Sequence, residues 1–173
     1  MEEIKKQVFY KSTFRNISKD KRERIFEVAI SEFASKGYSA TNINTIAQKA
    51  GISIGSMYSY FASKEDLFLA IVDQGFGLLE TALKEVKAEE GGVFEIIERL
   101  FRITREYTIN YPEMNQIYLD FSTQGLSSLS GKLSKQMESI TAELYVDILK
   151  KAKERGTINS DIDERLASFY LDN

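Results

Sequence analysis

Apolar residues recur at three- and four-residue spacing along almost the whole chain, and only one proline and ten glycines interrupt them in 173 residues. That spacing lines one face of a helix, and the two-residue alternation of a half-buried strand is not found. The sequence contains no internal repeat and no low-complexity tract. The predicted fold is therefore all-α.

Caps and breakers divide the pattern. Ser18 is placed to open a helix that runs to about Lys36, with Ile25, Phe26, Val28, Ala29, Ile30 and Phe33 inward and Gly37 ending it. Thr41 is expected to cap a short second helix, 42–50, packed through Ile43, Ile46 and Ala47. Ala50-Gly51-Ile52 makes a tight turn, and Ser53 caps a third helix to about Phe61. Ser63 begins a long fourth helix, where SKED has the form of a capping box. Its stripe runs from Leu67 through Phe76 and Leu83 to Val86, and the helix is expected to reach about Lys87. A fifth helix spans about Val93 to Asn110, and Pro112 starts a sixth. Residues 124–131 read as a loop or helix junction. A further helix runs from about Lys132 to Arg155, closed by Gly156, and Asp161 or Asp163 opens a last one. Its stripe of Ile162, Leu166, Phe169 and Tyr170 is still running at Asn173, so either the chain is cut short or the final helix frays.

Composition narrows the chemistry. With no cysteine and no histidine, disulfides, thiolate metal sites, imidazole ligands and the commonest general base are excluded. An all-helical enzyme would have to rely on carboxylates such as Glu95, Glu98, Glu106 and Asp120. Glu95 and Glu98 are an i, i+3 pair, but no further metal ligand joins them, so neither an enzyme nor a cofactor is expected. The longest apolar run, Leu67 to Val72, is far below the roughly 20 residues of a membrane helix, and the first residues lack the apolar core of a signal peptide. A cytoplasmic protein with no membrane contact is expected.

The net charge of −3 hides an imbalance. Residues 1–64 hold 11 Lys and Arg against 6 Asp and Glu, and the remaining residues hold 12 against 20. A basic, acid-poor first third suits a polyanionic partner, the other reading being chance clustering of surface charge. Within it, helix 42–50, the Gly51 turn and helix 53–61 have the form of a helix-turn-helix, whose second helix enters the major groove. At about 100° per residue, Ile54, Met57, Tyr58 and Phe61 share one face, and Gly55, Ser56, Ser59 and Tyr60 the other. Small hydroxyls suit base edges and phosphates, and Lys49 and Lys64 frame them with positive charge.

The run TNINTIAQKAGISIGSMYSYFASKEDL, residues 41–67, closely resembles the signature of the TetR family of bacterial transcriptional regulators. The matching positions are Thr41, Ile46, Ala47, Ala50 to Ser53, Gly55, Tyr58, Tyr60, Phe61, Lys64, Glu65 and Leu67, with Phe33 and Gly37 upstream. KERGTINSDIDERLASFYL, near the end, is similar to the family's late region. The resemblance implies a DNA-binding domain over 1–64, joined by the fourth helix to a ligand-binding and dimerisation domain over 65–173. It implies a repressor that binds double-stranded DNA at a palindromic operator as a homodimer, through its C-terminal helices, and that a small-molecule inducer releases. Carried over by position, Ser53, Ile54, Gly55, Ser56, Ser59 and Tyr60 are candidates to face DNA. Thr41, Tyr58 and Lys64 are candidates for phosphate contacts, and Asn44 for a base. Tyr58 has a second reading as core.

For the ligand, the candidates are Phe76, Phe94, Phe101, Tyr107, Tyr111, Met114, Tyr118, Phe121 and Tyr145, as the lining of an apolar cavity or as plain core. Gly75-Phe76-Gly77 inside the fourth helix reads either as a flexible joint or as a place of close helix packing. A factor of the same fold regulated by a protein partner is the alternative.

Overall fold

The computed structural model describes residues 8–83, 92–123, 126–129 and 131–167. Its helices are α1 Ser12–Arg15, α2 Lys19–Ala40, α3 Ile43–Lys49, α4 Ile54–Tyr60, α5 Lys64–Leu83, α6 Val93–Asn110, α7 Pro112–Thr123 and α8 Gly131–Glu154. A 3₁₀ turn, Leu126–Leu129, lies in the junction before α8, and no strand occurs among the described residues. The fold is all-α, as the apolar spacing predicts.

Most caps lie where the sequence puts them. Ser18 Oγ accepts from Lys21 N at 3.4 Å, Ser53 Oγ from Ser56 N at 3.0 Å, and Ser63 Oγ from Asp66 N at 3.0 Å. The cap of α3 is a correction. Asn42, not Thr41, caps it, with its Oδ1 accepting from Asn44 N at 2.8 Å. Gly37 interrupts α2 rather than ending it. Its φ of +75° lies in the left-handed region, and helical turns resume as far as Ala40. At the far end, Gly156 (φ +67°) closes α8, with Gly156 N and Thr157 N donating back to Lys153 O and Ala152 O. Asp163, rather than Asp161, caps the next turn, accepting from Arg165 N and Leu166 N. Val86, Phe169 and Tyr170 lie outside the described residues. The short α1 was not expected from the sequence.

The chain packs as two compact units, one holding the described residues of Met1–Gly75 and Pro112–Ser130, the other those of Phe76–Tyr111 and Gly131–Asn173. In the first, α7 lies along α2. Phe68 packs edge-on against Phe33 (5.1 Å between centroids) and Tyr38 (5.0 Å), with Phe121 of α7 at 6.5 Å. Ile25, Ala29, Ile46, Ala47, Met57, Phe61 and Leu67 fill the rest of this core. In the second, Leu83, Ile96, Leu100 and Ile148 are buried together, flanked by Leu79, Ile103, Leu144 and Tyr145. These units follow packing. They cut across the division at residue 64, which is one of charge and motif.

Candidate nucleic-acid interface

The turn between α3 and α4 is held from three sides. Gly51 takes φ +67°, which a side chain would strain. Ile52 N and Gly51 N donate to Ala47 O and Gln48 O. From α2, Arg24 Nε donates to Ala50 O at 2.9 Å. A second tie joins the same helices. Glu32 of α2 is almost fully buried, and its carboxylate accepts from Lys36 Nζ at 2.6 Å and from Lys49 Nζ of α3. The hydrogen bond from Lys36, then that from Lys49, holds the Glu32 carboxyl below its ordinary range, against the opposing effect of burial. Lys49, read as a phosphate neutraliser, is thus half of an internal ion pair.

α4 rests on Met57, Tyr60 and Phe61 and leaves Ser53, Ile54, Gly55, Tyr58 and Ser59 exposed. Ser56 is partly exposed, its Oγ 2.8 Å from Ser53 Oγ, and Ser59 Oγ donates to Ser56 O. Asn44 is exposed on α3.

Three expected contacts are corrected. Tyr60 is 7% exposed, with its ring 5.7 Å from Phe14 and Lys21 Nζ above it, so it anchors α4 instead of facing out. Tyr58, at 42%, takes the outward place. The buried Thr41 hydroxyl donates inward to Gly37 O at 2.8 Å, with Glu32 O 3.1 Å away. Lys64 Nζ donates to the carbonyls of Tyr38 (2.8 Å), Thr41 (3.1 Å) and Ser39 (3.3 Å) over the Tyr38 ring, closing the end of α2. Both side chains hold the scaffold.

The apolar candidates are divided between the two units. Met114, Tyr118 and Phe121 belong to the first unit, and Phe76, Phe94, Phe101, Tyr107, Tyr111 and Tyr145 to the second. Phe76 and Phe121 are buried, Met114 nearly so, and Tyr107, Tyr118 and Tyr145 partly. Tyr145 flanks the second core, and burial, with Tyr111 5.2 Å away, raises the Tyr107 phenol above its usual pKa. Phe94 (88% exposed), Phe101 (71%) and Tyr111 (45%) point outward, which corrects their place in a cavity lining. Ile96, Leu100 and Ile103 already occupy the inward face of α6, so residues on the opposite side cannot share it. Among the described residues no cluster of three or more metal-ligating side chains occurs.

Lys11, Thr13, Phe14, Arg24 and Glu32 serve this region, and sequence reading passed over them. Only the density of aromatics in FYKSTF, residues 9–14, hinted at a packed segment ahead of α2.

Residues 25–71, covering most of α2, all of α3 and α4 and the start of α5, match the family described as bacterial regulatory proteins, tetR family. The HTH-type transcriptional repressor KstR2 of Mycobacterium tuberculosis is 26% identical over 151 residues, 87% of this chain and 76% of that protein. The solved structure of the ketosteroid transcriptional regulator KstR2 of Mycobacterium tuberculosis aligns with a TM-score of 0.63 at 25% identity, covering 91% of this chain and 80% of that one. The TetR family transcriptional regulator PfmR from Thermus thermophilus aligns with a TM-score of 0.66 at 26% identity, covering 86% and 80%. These relatives are regulators of transcription, not enzymes. With its helix-turn-helix built as described and its residues 25–71 matching the family signature, the chain belongs to the tetR family of bacterial regulatory proteins.

Proposed function

We propose that this protein is a transcriptional repressor that binds a palindromic operator as a homodimer through its C-terminal helices, and that a small apolar or aromatic ligand in the C-terminal domain releases it. The observation that carries this reading is the open edge of α4. Ser53, Ile54, Gly55, Tyr58 and Ser59 are exposed on a short helix whose other side is locked into α1, α2 and α3. Ser56 adds a hydroxyl to that edge, and Asn44 extends it onto α3. Hydroxyls, a phenol and an uncovered backbone at Gly55 suit base edges and phosphates. The basic balance of residues 1–64 supplies long-range attraction. A DNA-binding role supports a cytoplasmic location for this protein. No described helix is long and apolar enough to cross a membrane.

The ligand rests on weaker ground. KstR2 is described as a ketosteroid regulator, and Phe76, Tyr107 and Tyr145 offer partly or fully buried rings in one unit here. A Cβ on Gly77 would meet nothing within 4 Å, so close packing does not account for that glycine, which supports reading it as a joint in α5. One observation favours a second reading, regulation by a protein partner. Phe94 and Phe101 stand seven residues apart on the outer face of α6, nearly bare.

Capture of sheared genomic DNA from the source organism, sequenced at two salt concentrations, tests the first reading. One palindromic site enriched at low salt and weakened at high salt is expected. Enrichment without any common site would overturn it. Release of that site by a low-molecular-weight extract supports the ligand. Release that needs the protein fraction and is lost in the F94S/F101S double variant supports the partner.

A further inference from the structure

A seven-residue helix has little stability of its own and ends with carbonyls that no turn follows to satisfy. In α4 each of the last four is accounted for. Met57 O accepts from Phe61 N at 2.9 Å, inside the helix. Tyr58 O accepts from Lys11 Nζ at 2.8 Å, Ser59 O from Thr13 Oγ1, and Tyr60 O from Lys11 N at 2.8 Å. Three of the four are therefore closed by a segment more than forty residues earlier in the chain. That segment is itself fixed. Phe14 is 1% exposed, with its ring 4.7 Å from Phe61, 5.2 Å from Phe26 and 5.7 Å from Tyr60. Arg22 Nη1 of α2 donates to Arg15 O at 2.8 Å and Ile17 O at 3.0 Å.

We propose that residues 9–15 are a positioning strap for the recognition helix. Lys11 and Thr13 hold the last turn of α4 and so set the direction of Tyr58 and Ser59. This rests on the reading of α4 as the DNA-reading helix. The two carbonyls held by side chains belong to the same residues that stand on the open edge, so a frayed last turn misdirects both at once. Specificity then depends on a segment outside the helix-turn-helix. The strap's contribution differs from that of a phosphate contact, which would weaken all DNA binding equally and lower its salt dependence.

The test uses T13V and K11M in the full chain, with T13S and K11R as conservative counterparts. Amide exchange of residues 58–61 and affinities for the selected site and for unrelated duplex DNA are measured together. Faster exchange in T13V and K11M, about tenfold weaker binding to the selected site, unchanged binding to unrelated DNA and recovery in T13S and K11R are expected. Unchanged exchange at the end of α4 overturns the proposal, and so does faster exchange with specificity intact. Equal loss on both DNAs with a shallower salt dependence overturns it too, in favour of a direct phosphate contact by Lys11. If the unaltered protein selects no site, the recognition reading fails, while exchange still decides whether the strap holds α4.

Discussion

Glu32 carries the clearest consequence of a single side chain. The residue is 4% exposed, and its carboxylate holds two ammonium groups, one from its own helix and one from α3. Because its folded pKa is lowered, the unfolded chain takes up the proton first as pH falls. The stabilisation is complete above the ordinary carboxylate pKa of 4.5 and is lost as pH drops through the folded value. Glu32→Gln is expected to lower stability by about 1–3 kcal/mol at neutral pH and to flatten the loss below pH 4.5. Thermal melts of both proteins across that range check it, and parallel acid curves would count against the ion pair. In the sequence Glu32 was visible only as the last acid before a stretch without any. That Lys49 turns back to it depends on α2 crossing α3, which no local pattern encodes.

Among the elements, α4 was legible as a helix with a cap, and its inward face was not fully legible. The helical wheel separates apolar from small polar residues and so groups Tyr58 with Met57 and Phe61. The structure turns the buried face toward Tyr60, because Phe14 of the strap packs there and the outward side is left to Ile54 and Tyr58. A wheel knows the helix and not its neighbours. In α5 the sequence marks Gly77 as out of place, since glycine inside a helix costs about 1 kcal/mol relative to alanine. Open space around its missing side chain means that Gly77→Ala should stabilise the protein by about 0.5–1 kcal/mol, measured by denaturant midpoint. Weakened ligand release in the same variant would support the joint. Stabilisation with release unchanged would leave the glycine without that role.

For the whole molecule, the charge imbalance gives the most direct expectation. An acidic chain whose first third is basic should bind duplex DNA with a steep salt dependence. If each half of an operator engages several phosphates, affinity should fall about 10³- to 10⁵-fold between 50 and 200 mM salt, by the rule for 6–10 phosphate contacts. Fluorescence anisotropy on the selected site measures it, and a nearly flat dependence would place the basic residues away from the DNA. Lys49 and Lys64 already illustrate the limit of counting charges, since both are engaged within the protein.

The all-α class, most helix boundaries, the caps at Ser18, Ser53 and Ser63 and the tight turn at Gly51 were determined by the sequence alone. Each rests on interactions within a few residues, where periodicity, capping hydroxyls and glycine's left-handed freedom act. The inward turn of Thr41 and Tyr60, the closing of α2 by Lys64, the Glu32 ion pairs and the strap across α4 were decided only by the tertiary structure. Most of these join residues far apart in the chain, and a side chain's partner there depends on which helix arrives opposite it. The same reason separates Phe121, buried against Phe68, from Phe94 and Phe101, which no described helix covers.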